Sequence, residues 1–315
     1  MTKYAMIFPG QGSQYKGMLK KLEKIYNIVE YTFGTASEIL GYDLWDLVQK
    51  DSSKELHQTW RTQPAILAAS VSIFRIWEKK KAKMPKILAG HSLGEYSALV
   101  CGGVIKFSDA IKLVELRGKL MQEAVPEKAG AMTVIIGLDI KSIEKACAES
   151  AYNQIVSPVI FNAPNQIVIA GHKDAIERTS IACKIAGAKS IITLPVSIPS
   201  HCILMKSAAK KFKIALENIQ FHRPQCQIVN NVDVAIETSS QAIRNALIRQ
   251  MYMPVRWEEV VKFIFGKKIN LLIEIGPGKT LQGLAKRIIP TLKTVSINDP
   301  DTLDEALQQS QGYII

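Results

Sequence analysis

Apolar residues along the chain fall into two patterns. Short unbroken runs at residues 3–8, 87–89 and 270–276 read as strands buried on both faces, as parallel sheets require, and a further strand is expected around Gln227–Asn231. Between these runs, apolar positions recur at helical spacing. Leu22, Ile25, Val29, Phe33, Ala36 and Leu40 form one stripe, and Ile66, Leu67, Ile73, Phe74 and Trp77 form another. The second helix is expected to start near Pro64, because a proline in a first helical turn forfeits no hydrogen bond. Further helices are predicted at 95–100, 109–124, 240–250, 257–266 and after Lys279, the last through Leu281, Leu284 and Ile288. Strands alternating with helices in this way predict an α/β fold.

The pattern changes after Pro126. Strand, helix, strand, a turn at Asn162–Asn165, strand, helix and strand follow within 131–196. The order β-α-β-β-α-β is the split, ferredoxin-like unit, and it predicts an inserted α+β subdomain. The expected organisation is a discontinuous large α/β domain, residues 1–127 and 198–315, interrupted by a small domain at 128–197.

Composition narrows the function classes. A chain of 315 residues with 47% hydrophobic and 22% charged residues has the makings of a full globular core. The start of the chain runs straight into a strand without a signal-peptide layout, and no apolar run approaches a membrane span. The five cysteines, Cys101, Cys147, Cys183, Cys202 and Cys226, lack C-x-x-C spacing, which suits reduced thiols and argues against zinc. A cytoplasmic location and no bound metal are therefore expected. The net charge of +12 favours an acidic partner, but the basic residues are dispersed and form no nucleic-acid-binding motif. Lys79–Lys83 closes a helix C-terminus, where cations complement the dipole.

The candidate chemistry centres on Gly90-His91-Ser92-Leu93-Gly94, between the run at 87–89 and a helical stretch. Strand, G-x-S-x-G, helix is the context of a nucleophile elbow, and it predicts an α/β-hydrolase-like parallel-sheet core carrying Ser92 at a strand end. An ordinary strand-to-helix turn with an N-cap serine is the alternative. The loop Pro9–Gln14 fails both phosphate patterns: Tyr15 stands where G-x-G-x-x-G needs glycine, and Met18-Leu19 where a P-loop needs Lys and Ser or Thr. What remains is a glycine-rich turn whose backbone N–H groups can supply a second oxyanion donor. Arg117 sits on the apolar stripe of the 109–124 helix, so its guanidinium needs an anion. That anion is either an internal Asp or Glu, or a substrate carboxylate gripped bidentately. Among the five histidines, His201 follows a stiff Pro199 loop at the exit from the insert and is the best candidate base; His91 abuts Ser92, so its side chain points elsewhere.

Taken together, Phe8-Pro9-Gly10-Gln11-Gly12-Ser13-Gln14, Thr62-Gln63-Pro64-Ala65, Gly90–Ala98, Arg117-Gly118, Pro199-Ser200-His201 and Glu274-Ile275-Gly276-Pro277-Gly278 resemble the motif set of the malonyl-CoA:acyl carrier protein transacylases of bacterial type II fatty acid synthesis. The motifs match in order and spacing from the first strand to the last helix. The resemblance implies transfer of malonyl from coenzyme A to the phosphopantetheine thiol of acyl carrier protein through an ester on Ser92, with His201 as base and then acid. It implies a histidine held by a backbone carbonyl, placed at Gln250, and an oxyanion hole from the N–H groups of Gln11 and Leu93. Arg117 becomes the clamp for the malonyl carboxylate, with Gln63, Met121 and Ser200 lining the pocket. No cofactor beyond the thioester substrates is implied. The acidic carrier becomes the partner of the basic surface, with Lys189, Lys286 and Arg287 expected to contribute to docking, and the chain is expected to be a monomer. Asn165 departs from the family pattern, which has glycine in that turn. Two rivals carry different expectations. An esterase or thioesterase using Ser92 and His201 turns over with water, and a nucleic-acid binder shows steep salt dependence.

Overall fold

The computed structural model describes residues 3–52, 54–126, 128–196 and 198–312. Among these residues there are nine strands: β1 (Tyr4–Phe8), β2 (Ile87–Gly90), β3 (Gly130–Ile136), β4 (Val156–Ala163), β5 (Gln166–His172), β6 (Ser190–Thr193), β7 (Gln227–Val229), β8 (Leu271–Ile275) and β9 (Lys293–Ile297). They form two sheets. The larger is parallel, in the order β7-β2-β1-β8-β9. The smaller is antiparallel, in the order β4-β5-β3-β6, the arrangement expected of a ferredoxin-like unit. The expected junctions at residues 127 and 197 lie outside the described residues.

The parallel strands β1 and β8 are buried along their whole length, which explains their unbroken apolar sequence. β1 lies at the centre, with β2 on one side and β8 on the other. Phe8 pairs with Gly90, so the loops leaving β1 and β2 emerge side by side. Helices Thr59–Lys79, Phe107–Glu123 and Lys206–Glu217 pack with one another in the core on one side of this sheet. On the other side, Trp257, Val260, Val261 and Ile264 of helix Trp257–Gly266 share a core with Met132, Ile160 and Val168 of the small sheet. The remaining face of the small sheet is covered by helices Ile140–Ala151 and Lys173–Ile185.

Several expectations need correction. The helix placed near Pro64 begins at Thr59, leaving Pro64 inside it; in its first turn the Thr62 hydroxyl shares its one hydrogen between the carbonyls of Leu56 (2.6 Å) and Gln58 (3.1 Å). The stripe from Leu22 to Leu40 is broken into Lys20–Glu23 and Ile28–Leu40, with Ile25 exposed in the gap. The helix Leu44–Lys50, strand β9 and the helix Pro300–Gln311 had no predicted counterpart. Asn165 adopts φ +57°, a left-handed turn position that asparagine tolerates in place of glycine.

Candidate active site

Three glycines build the turn after β2. A Cβ on Gly90 would lie 1.8 Å from the Gly94 carbonyl carbon, and one on Gly94 would lie 2.0 Å from the Phe8 carbonyl oxygen. A Cβ on Gly10 would lie 2.6 Å from the His91 carbonyl oxygen. The helix Gly94–Cys101 is therefore pressed against both β1 and its own strand, and the residue at the apex must turn sharply. Ser92 does so with φ +51°, a strained left-handed conformation for a non-glycine residue. The turn is an elbow with a serine at its tip, as the sequence pattern predicts.

Ser92 Oγ lies 2.7 Å from His201 Nε2, and His201 Nδ1 lies 2.7 Å from the Gln250 carbonyl oxygen. The carbonyl can only accept, so Nδ1 carries the proton and Nε2 presents its lone pair to the hydroxyl. His201 is itself at φ +63° and 3% exposed. Burial, followed by the positive charge of Arg117, pulls its pKa from the ordinary 6.5 down to about 3. The imidazole is thus neutral and able to take a proton at physiological pH.

Arg117 closes the other side of the serine. Its Nη2 donates to Ser92 Oγ (3.3 Å) and to Gln250 Oε1 (3.0 Å), and its Nη1 to Gln63 Oε1 (2.9 Å). Arg117 reaches this position because its helix crosses helix Thr59–Lys79 at Gly118, where a Cβ would lie 2.5 Å from Trp60 Cα. The guanidinium is 1% exposed, its Nε has no acceptor, and among the described residues it makes no salt bridge. All its side-chain acceptors are neutral. Of the two partners open at the sequence level, the internal carboxylate is absent from its contacts.

Gln11, Leu93, Arg117, Met121, Ser200 and His201 line one cavity of about 100 Å³ around Ser92, walled also by Met132 and Ile160 of the small sheet and by Leu194 just beyond β6. Gln63 stands behind it, its Nε2 3.8 Å from Met121 Sδ. Thr59, Val196 and Ile198 continue from this cavity into a cleft of about 480 Å³ lined by Lys54, His57, Trp60 and Gln122. Lys189, Lys286 and Arg287 lie elsewhere, on the surface. Arg287 donates to Gln166, and the Lys189 backbone N–H donates to the Ile136 carbonyl; Ile136 and Gln166 are paired, so both residues lie at one end of the small sheet. That end is four strand residues, about 13 Å, from the cavity wall at Met132.

Two residues that the sequence did not single out hold the elbow from behind. Asn231, fully buried, accepts from Ser92 N (2.7 Å) and donates to the Gly90 carbonyl (2.6 Å). Glu95 accepts from Asn231 N (3.1 Å) and Gln250 Nε2 (2.8 Å), and burial raises its pKa to about 7. His91 turns away from Ser92, as expected, to reach Asn162 Oδ1 (3.0 Å). No group of His, Cys, Asp and Glu among the described residues is placed to hold a metal ion, and no helix there is long and apolar enough to cross a membrane.

The family model of the acyl transferase domain matches residues 5–302. The chain belongs to that family. Within it, the malonyl CoA-acyl carrier protein transacylase of Salmonella typhimurium is 58% identical over 309 residues, which are 98% of this chain and all of the relative. The enzyme of the same name from Escherichia coli K12 is 56% identical, with the same coverage of both chains. Among solved structures, a malonyl-transacylase in complex with its type II polyketide synthase acyl-carrier protein superposes with a TM-score of 0.97 at 60% identity, covering 98% of this chain and all of that one. An acyl carrier protein S-malonyltransferase from Vibrio cholerae gives 0.95 at 56% identity, covering 97% and 100%. This acyl transferase domain therefore shares its fold with transferases along nearly its whole length.

Proposed function

We propose that this protein is an acyl-carrier-protein S-malonyltransferase that works by a ping-pong mechanism through a malonyl ester on Ser92. The observation that carries the reading is the position of Ser92 Oγ between His201 Nε2 at 2.7 Å and Arg117 Nη2 at 3.3 Å, with Arg117 buried and in direct contact with no carboxylate among the described residues. A nucleophile beside a buried unpaired cation suits an acyl group that carries its own carboxylate. Malonyl is such a group, and the names of the relatives at 56–58% identity agree.

In the first half-reaction, Ser92 gives its proton to His201 Nε2 and attacks the thioester carbonyl of malonyl-CoA. The Gln250 carbonyl oxygen holds the imidazole and favours the imidazolium that forms. The N–H groups of Gln11 and Leu93 face the developing oxyanion, Leu93 from the start of the Gly94–Cys101 helix. The C–S bond breaks, His201 returns the proton to the coenzyme A sulfur, and malonyl remains on Ser92. The thiol of phosphopantetheine on acyl carrier protein then repeats these steps in reverse. Atoms and protons balance without a cofactor. Arg117 grips the malonyl carboxylate, Gln63 and Gln250 hold the guanidinium, and Met121 and Ser200 shape the pocket. The cleft beside Thr59 admits the pantetheine arm, and Lys189, Lys286 and Arg287 attract the acidic carrier. The large domain supplies the nucleophile, base and clamp, and the small one the opposite wall.

The test loads the enzyme with malonyl-CoA, removes coenzyme A and adds carrier protein. Transfer to the phosphopantetheine-bearing carrier and not to the apo form is expected. Release of free malonate at the same rate with or without carrier would establish a hydrolase instead. Charge reversal at Lys189, Lys286 and Arg287 should slow transfer at low salt, and unchanged transfer removes them from docking.

A further inference from the structure

Glu95 is a buried acid that forms no ion pair among the described residues and faces the core from the first turn of the Gly94–Cys101 helix. Burying such a group is costly unless its bonds are needed. Its Oε2 accepts from groups far away in sequence, Asn231 N and Gln250 Nε2. Gln250 in turn donates to the Ser92 carbonyl (3.0 Å) and accepts from Arg117 Nη2 (3.0 Å). One amide therefore stands between a carboxylate and a guanidinium.

An amide side chain has two orientations, and its neighbours choose between them. A guanidinium only donates and the Ser92 carbonyl only accepts, so Oε1 must face Arg117 and Nε2 must face the Ser92 carbonyl and Glu95 Oε2. Turning the amide over would set N–H against N–H at Arg117 and oxygen against the Ser92 carbonyl oxygen. The chain of bonds runs Glu95, Gln250, Arg117, and the link to the Arg117 guanidinium is charge-assisted.

We infer that Glu95 is a positioning residue: through the Gln250 amide it aims the Arg117 guanidinium at the acyl carboxylate and so helps to set the preference for a carboxylated acyl group. This inference rests on the malonyltransferase reading. Glu95 touches neither substrate nor the reacting atoms, so its loss should alter discrimination, where a purely structural residue would lower all activity together.

The test compares kcat/KM for malonyl-CoA and acetyl-CoA in the full-length protein and its Glu95 variants. Glu95→Ala should lower the malonyl-to-acetyl ratio about tenfold, a typical coupling within a buried network. Glu95→Gln should stay within about threefold of the wild-type ratio, because a single amide oxygen can accept from both Asn231 and Gln250. In an Arg117→Ala background, Glu95→Ala should leave the ratio unchanged, since the group it positions is gone. A ratio unaltered by Glu95→Ala, with both substrates slowed in parallel, overturns the inference. If Glu95→Ala fails to fold, Glu95→Asp decides: it keeps the charge but withdraws the oxygen by a methylene. A lower ratio for Asp than for Gln supports positioning, and a ratio for Gln at or below that for Asp overturns it. A wild-type enzyme that forms no malonyl ester overturns the transferase reading itself.

Discussion

Replacing Arg117 with alanine separates recognition of the acyl carboxylate from the chemistry at Ser92. The guanidinium is 1% exposed, so solvent screens it little. Removing one partner from a buried charge pair costs about 3–5 kcal/mol, and 1.4 kcal/mol is tenfold. Malonyl-CoA should therefore lose about 10²- to 4 × 10³-fold in kcat/KM. Acetyl-CoA has no carboxylate; it loses the 3.3 Å contact between Arg117 and Ser92 Oγ, at the long end for a hydrogen bond, and the lesser of the two main causes that keep His201 neutral, so its decline should stay below about tenfold. The assay measures kcat/KM for both thioesters, with circular dichroism to confirm that the variant is folded. Arg117→Lys should fall between the two, since it keeps the charge but loses the planar fork that reaches Gln63 and Gln250 together. An equal loss for both thioesters in Arg117→Ala would refute the carboxylate clamp.

Other predictions test the frame around the site. Because burial and Arg117 bring the His201 pKa down to about 3, the acid limb of kcat/KM for acetyl-CoA should lie below pH 5, and a limb centred near 6.5 would contradict the assigned environment. Gly94→Ala forces a Cβ to within 2.0 Å of the Phe8 carbonyl oxygen, so it should cost about 3 kcal/mol in urea unfolding and abolish acylation. Glu274, fully buried and accepting from Leu281 N (3.1 Å) and Gln282 N (2.8 Å), has its pKa raised to about 7 from 4.5 by burial. The folded state then holds this proton after the unfolded state has released it, so stability falls as pH rises from about 4.5 to 7, by about 3 kcal/mol. Glu274→Gln cannot titrate, and its unfolding free energy relative to wild type should rise by that amount over the same window. His201, whose pKa moves the other way, contributes equally to both proteins and cancels in the difference.

Much of this site was legible because its geometry needs particular residues locally. Gly90 and Gly94 mark the elbow, since nothing larger fits against Phe8 and the turn itself, and the pattern therefore exposed Ser92. Arg117 was visible as a cation on an apolar stripe. Other features had no local signature. The orienting group for His201 is a backbone carbonyl, which any residue at 250 supplies, and only the resemblance to the transacylases pointed there. Asn231 follows a three-residue strand, and its role depends on a contact 139 residues away in sequence. Glu95 had no signature beyond its place in the Gly90–Ala98 motif, because its partners at 231 and 250 are distant in sequence. In the fold, the fully buried runs of β1 and β8 identified themselves. Lys293–Ile297 did not, because this edge strand mixes polar and apolar residues. The start of the Thr59–Lys79 helix was misplaced because Pro64 was read as a first-turn residue, whereas tertiary packing accommodates it five residues in.

The central claim is that malonyl passes through an ester on Ser92, and intact-mass measurement after mixing the protein with malonyl-CoA alone tests it most directly. The account predicts that wild type gains one malonyl group, that Ser92→Ala gains none, and that the group leaves when carrier protein bearing the phosphopantetheine thiol is added. A malonyl adduct persisting in Ser92→Ala, or free malonate accumulating with no adduct on wild type, would contradict it.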